Sequence, residues 1–182
     1  MPIRIRPGRA AALLLSAAIV AGGLSGCSFL SPFKTCEGTG ARMKELVSLP
    51  LLSSPPPGAS APRTFDGVYS ECADDSGDAW LSAGRTYVYP GTRQEVLDHY
   101  RKAAEADGWR FEPERTPDQG RFGSCFTKGG DGQAKVFTLS FPPVRLLTEF
   151  YGPGAAAEFA TGAGFEITVG SEADGAETSC WS

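Results

Sequence analysis

The side chains that could carry covalent, metal or proton-transfer chemistry are few: five cysteines, a single histidine and a scatter of carboxylates in 182 residues. The cysteines are Cys27, Cys36, Cys72, Cys125 and Cys180, and none stands in a C-x-x-C pair. A structural zinc site draws four nitrogen or sulfur ligands together, so no metal is expected on them. Asp74, Asp75 and Asp78 flank Ser76-Gly77, but counting from Asp74 puts Ala79 at position six and Arg85 at position twelve. A calcium loop wants glycine and glutamate at those two places, so the trio reads as an acidic turn.

His99 is the one imidazole, and Asp98 precedes it in a helical pattern. Neighbours on a helix point about 100° apart, so the pair cannot form the His–Asp arm of a triad, and no G-x-S-x-G elbow is present. Glu112 and Glu114 could share one strand face, but Pro113 between them marks a strand end, where surface charge is the simpler use. Gly162-Ala163-Gly164 leads into a strand pattern rather than a helix, which a phosphate loop would need. No catalytic residue and no cofactor are expected.

Cys27 belongs to a different pattern. Arg4, Arg6 and Arg9 precede an uncharged run from Ala10 to Leu24, and small residues follow it. The run suits a secretory h-region and falls short of the ~20 apolar residues that a membrane span requires. Leu24-Ser25-Gly26-Cys27 resembles the lipobox of bacterial lipoproteins. The resemblance implies cleavage between Gly26 and Cys27, a diacylglyceryl group on the Cys27 sulfur, and a lipid anchor in the cell membrane facing the extracytoplasmic side. One acyl chain binds a membrane only marginally; two on one residue hold stably. Residues 1–26 are then a signal peptide, 27–35 an anchor and tether, and 36–182 one domain. The eight residues from Ser28 to Thr35 reach at most about 28 Å, which keeps that domain near the membrane.

With Cys27 used in this way, four cysteines remain, and an even number in an exported domain reads as two disulfides. Three pairings are possible; Cys36–Cys72 with Cys125–Cys180 closes the shortest loops and is favoured weakly on that ground.

Three of the seventeen basic residues precede Cys27 and none of the twenty-one acidic ones do, leaving fourteen against twenty-one, a charge of −7. Nucleic acid rewards clustered Lys and Arg, and anionic lipid attracts basic segments, so neither suits the domain surface. Arginine outnumbers lysine twelve to five amid abundant Ala, Gly and Pro, a bias of GC-rich genomes. Together with the lipobox, the chain resembles the small uncharacterised lipoproteins of high-GC Gram-positive bacteria. That likeness extends over the mature chain, including the segment ending Asp107-Gly108-Trp109, and implies no activity.

The elements that must position these groups follow from periodicity. Gly40 to Leu49 reads as a short helix with Met43, Leu46 and Val47 inward. Pro55-Pro56-Pro57 makes Leu51 to Pro62 a stiff polyproline connector. Trp80 to Tyr89 reads as a strand or hairpin. Thr92-Arg93-Gln94-Glu95 is a capping box opening a helix over about 92–107, with Val96, Tyr100, Ala103 and Ala104 on one face and Gly108 as its left-handed end. Phe122 to Lys128 and Lys135 to Phe141 form a hairpin around Gly129-Gly130-Asp131-Gly132. Phe165, Ile167 and Val169 alternate as a further strand. Pro153 to Gly164 reads as a Gly/Ala-rich loop. The expected fold is α+β: an antiparallel sheet of four to six strands, one main helix on one face and a short N-terminal helix.

For function, composition favours a non-enzymatic binding module of the cell envelope, with an envelope protein or a glycan as partner. The alternative is a small exported hydrolase-type enzyme whose site the sequence does not reveal. Val144 to Tyr151, ambiguous between helix and strand, holds more apolar surface than one face hides. Val144, Leu147, Phe150 and Tyr151 form the expected partner patch, against plain core packing as the competing reading.

Overall fold

The computed structural model describes residues 35–74, 79–113, 123–130, 132–160 and 162–180, with Phe150 described in its backbone alone. Residues 1–34, with Cys27 and most of the tether, lie outside them, as do Asp75, Asp78, Glu114, Phe122 and Asp131. In chain order the elements are α1 (Gly40–Val47), α2 (Pro50–Ser53), β1 (Val68–Ala73), β2 (Trp80–Tyr89), α3 (Arg93–Ala106) and β3 (Arg110–Glu112). Then follow β4 (Gly123–Lys128), β5 (Lys135–Ser140), α4 (Val144–Tyr151), α5 (Pro153–Phe159) and β6 (Ala163–Glu172). The fold is α+β. Among the described residues six strands make one antiparallel sheet in the order β1-β2-β6-β5-β4-β3.

Register decides what each face carries. Tyr87 lies opposite Phe165, Phe137 opposite both Val169 and Phe126, and Leu139 opposite Ile167. Side chains alternate along a strand, so these residues share one face, and all are buried. Helix α3 lays Val96, Tyr100 and Ala104 on that layer. Thr92 caps it as the sequence indicates: its side chain accepts the Glu95 amide at 3.2 Å, and Glu95 reaches back to the Thr92 amide at 2.7 Å. At the other end Gly108 takes φ 77°. The Trp109 amide donates to Ala104 at 2.9 Å and the Gly108 amide to Glu105 at 3.0 Å, which satisfies carbonyls the last turn leaves open.

The main helix α3 and the short N-terminal helix α1 are joined on this face by a further helix, α2. Leu51 and Leu52, expected in a polyproline connector, wind into α2 with Pro50 in its first turn and bury in the same core as Leu46 of α1. Proline fits a first turn because the amide it lacks would have no partner there. Along α1, Met43 and Leu46 point inward, whereas Val47 is 40% exposed, contrary to the expected face. The helix is fastened at several points: Cys36 is bonded to Cys72 of β1, Arg42 donates to Ser171 Oγ at 2.9 Å, and Glu45 pairs with Lys135 at 2.8 Å.

A second correction concerns Pro153 to Gly164. Most of it is not a loop: it forms α5 and the first two residues of β6. Alanine is the strongest helix former, so Ala155-Ala156-Ala157 outweighs the glycine-rich look of the stretch. The ambiguous stretch before it is helical, as α4.

Candidate ligand-binding face

The face of the sheet turned away from α1, α2 and α3 is built differently. Leu147, Ala155 and Phe159 of α4 and α5 pack with Phe65 and Val88 over one end of it. Phe159 lies against Gly164, where any Cβ would run into the ring. The other end is left uncovered by the helices among the described residues. A groove of about 580 Å³ runs there between Trp80, Val136, Thr138, Thr168 and Glu172. Ser179 and Cys180 form its rim, and the Cys125–Cys180 disulfide ties that rim to β4.

Two aromatic rings rest on glycines in this face. Trp80 lies across Gly170, and Tyr69 lies across Gly84; a Cβ at either glycine would meet ring atoms. A glycine inside a strand leaves room for a close approach of this kind. Both residues are half-buried. The Tyr69 ring spans β2 to reach β6, where its hydroxyl stands 2.7 Å from Thr168 Oγ1. Burial pushes the Tyr69 phenol up to about 12, with the Glu166 and Glu71 carboxylates adding to the rise and the Thr168 bond opposing it. Burial likewise raises the Glu166 carboxyl, offset in part by the Tyr69 hydroxyl. The face therefore offers aromatic surface, hydroxyls and carboxylates on a floor of hydrogen-bonded strands.

The groups singled out in the sequence are dispersed. His99 Nε2 stands 2.9 Å from the Ser54 carbonyl and its ring meets Tyr100 edge-on, so the imidazole joins the end of α2 to α3. Glu112 accepts from Thr127 Oγ1 at 2.9 Å. Cys36, Cys72, Cys125 and Cys180 form two disulfides, in the pairing with the shortest loops. Among the described residues no group of three or more His, Cys, Asp or Glu side chains is placed to hold a metal ion. Nor, among them, is any helix long and apolar enough to cross a membrane.

The expected partner patch divides. Val144 and Tyr151 are 45% and 47% exposed, and Tyr151 stacks on Phe65 with ring centroids 4.1 Å apart. Leu147 is a correction: it is buried, because α5 folds back across the middle of α4 and places Ala155 and Phe159 on it. The side chain of Phe150 lies outside the described residues.

Sequence reasoning passed over the groove. Its available signal was glycine within strand patterns, Gly84 in Trp80–Tyr89 and Gly170 beyond Val169. Comparisons with protein-family models, curated proteins and solved structures return no match. The class is set by architecture: a disulfide-bonded α+β domain with helices on one face of its sheet and a grooved second face.

Proposed function

We propose that this chain is a lipid-anchored protein of the cell envelope that binds a ligand in the groove on the open sheet face, without catalysis. The anchor is Cys27, on the strength of its lipobox. The observation that best supports the binding role is Trp80, seated over Gly170 in a groove that Thr138 and Thr168 also line. Aromatic rings supply contact area at a low cost in conformational entropy, and binding energy concentrates on such anchors.

The register separates the two carboxylates of β6 on this face. Glu166 and Glu172 stand six positions apart, about 20 Å at strand rise, too far to act as a catalytic pair with each other. Paired-acid glycoside cleavage uses separations of roughly 5–9.5 Å. Two measurements test the proposal. Fractionation of cells producing the wild type and Cys27→Ala should find the first in the membrane and the second released. Purified protein should be retained on isolated envelope material, and Trp80→Ala should abolish retention. Equal membrane retention of both forms would refute the anchor; unchanged capture of Trp80→Ala would refute the groove.

A further inference from the structure

We infer that the ligand of the groove is an uncharged glycan, an inference that rests on the groove being the binding face. Carbohydrates present two kinds of surface: the C–H face of a ring, which is apolar, and a belt of hydroxyls. The groove matches both. Trp80 lies across Gly170 and lines the groove, and Tyr69 lies across Gly84 beside it on the same face. Gly84 pairs with Thr168, and Gly170 is two positions further along β6, so the two ring seats are offset along the strands by about 7 Å. Trp80 lines the groove, and Tyr69, beside it on the same face, sets a second aromatic side chain one such step away.

The polar groups supply the belt. Thr138 of β5 and Thr168 of β6 line the groove; a threonine hydroxyl both donates and accepts, and that of Thr168 already meets the Tyr69 hydroxyl. Glu166 and Glu172 stand on the same strand face, Glu166 beside the Tyr69 hydroxyl. Around the groove the charge on this face is acidic: Glu71, Glu166 and Glu172 are on it, Arg110 lies at the β3 edge paired with Glu112, and Lys135 turns to the other side and pairs with Glu45 of α1. Phosphorylated, sulfated and uronate polymers are disfavoured by that charge. A proline-rich peptide also stacks on aromatic rings, but it has no belt of donors to match paired hydroxyls and carboxylates.

The test uses the protein purified from producing cells with both disulfides intact. Soluble glucan, mannan, galactan and arabinan oligosaccharides are titrated against it by calorimetry, beside a polyproline peptide and polygalacturonate. A neutral oligosaccharide should bind. Trp80→Ala should weaken that binding by about tenfold or more, the scale of losing one aromatic anchor. Thr138→Val, which keeps the strand shape and removes the hydroxyl, should weaken it several-fold with an unchanged unfolding midpoint. Preference for the peptide or the polyanion, with loss in the same variants, would overturn the glycan and leave the groove standing. Glycan binding indifferent to both variants would overturn the groove itself. Failure of all four glycans to bind would overturn the inference.

Discussion

Tyr69 and Thr168 meet hydroxyl to hydroxyl at 2.7 Å although their strands, β1 and β6, are not neighbours. The contact crosses β2 at Gly84, which has no side chain to block it. One glycine thus couples three strands and fixes an aromatic ring in the candidate binding face. Gly84→Ala should displace the Tyr69 ring and cost about 1–3 kcal/mol, the usual penalty of overpacking. Tyr69→Phe should cost about 1 kcal/mol, the net worth of a hydrogen bond. Denaturant unfolding of the two variants checks the order: a loss for Gly84→Ala no larger than that for Tyr69→Phe would contradict this reading of the glycine.

The carboxyl of Glu166, beside Tyr69 on the same sheet face, gives the fold a pH signature. Its folded value is raised above the ordinary 4.5, mainly by burial. Below the unfolded value both states hold the proton and Glu166 has no effect on stability. As pH rises from the unfolded value through the folded one, the folded state retains a proton that the unfolded state has released, and stability falls. Glu166→Gln should therefore be more stable than the wild type at neutral pH, with the difference vanishing in acid. A constant difference across the range would contradict the assignment.

Glu95 works in the opposite sense. Bonds from the Thr92 backbone amide and hydroxyl hold its carboxyl below the ordinary value. That stabilisation is present above the unfolded value and is lost as pH falls through the folded one. Glu95→Gln should remove this contribution on the acid limb of an unfolding-midpoint profile; an unaltered acid limb would argue against a working capping box.

The two disulfides close loops of 36 and 55 residues. Chain-entropy reasoning assigns each about 4 kcal/mol, slightly more for the longer. Replacing Cys36 and Cys72 together by Ser should lower stability without touching the groove. Replacing Cys125 and Cys180 should lower it by a similar amount and also free the rim formed by Ser179 and Cys180, so ligand capture should fall with this pair alone. Equal effects on capture would show that the rim plays no part.

Within α4, Leu147 and Tyr151 should separate core from surface. Leu147→Ala should cost about 2–5 kcal/mol, as for a buried leucine. Tyr151→Ala gives up an exposed stack on Phe65 and should cost roughly 1 kcal/mol. Lost capture in Tyr151→Ala at near-unchanged stability would move the partner site from the groove to α4.

What was legible in the sequence was local. Thr92 and Glu95 announce the start of α3, Gly108 its end, and the alternation of Phe137 and Leu139 and of Phe165, Ile167 and Val169 the inward faces of β5 and β6. The less legible parts depend on distant pairing. Tyr69 and Thr168 are 99 positions apart, and nothing near either one signals the other. Leu51-Leu52 reads as linker beside three prolines until the sheet offers it a core. Val68–Ala73 has little alternation to mark it, because β1 is an edge strand with mostly exposed side chains. The candidate site is assembled from such edge and cross-strand contacts, so its glycines were visible while their purpose was not.

The most direct test of binding through the open sheet face is amide chemical-shift mapping of the isotopically labelled protein with solubilised envelope material from producing cells. The amides of Trp80, Thr138, Thr168 and Gly170 should shift together, and those of α1 and α3 should stay in place. Shifts centred on Val144 and Tyr151 or on the helical face, or no shifts at all, would contradict it.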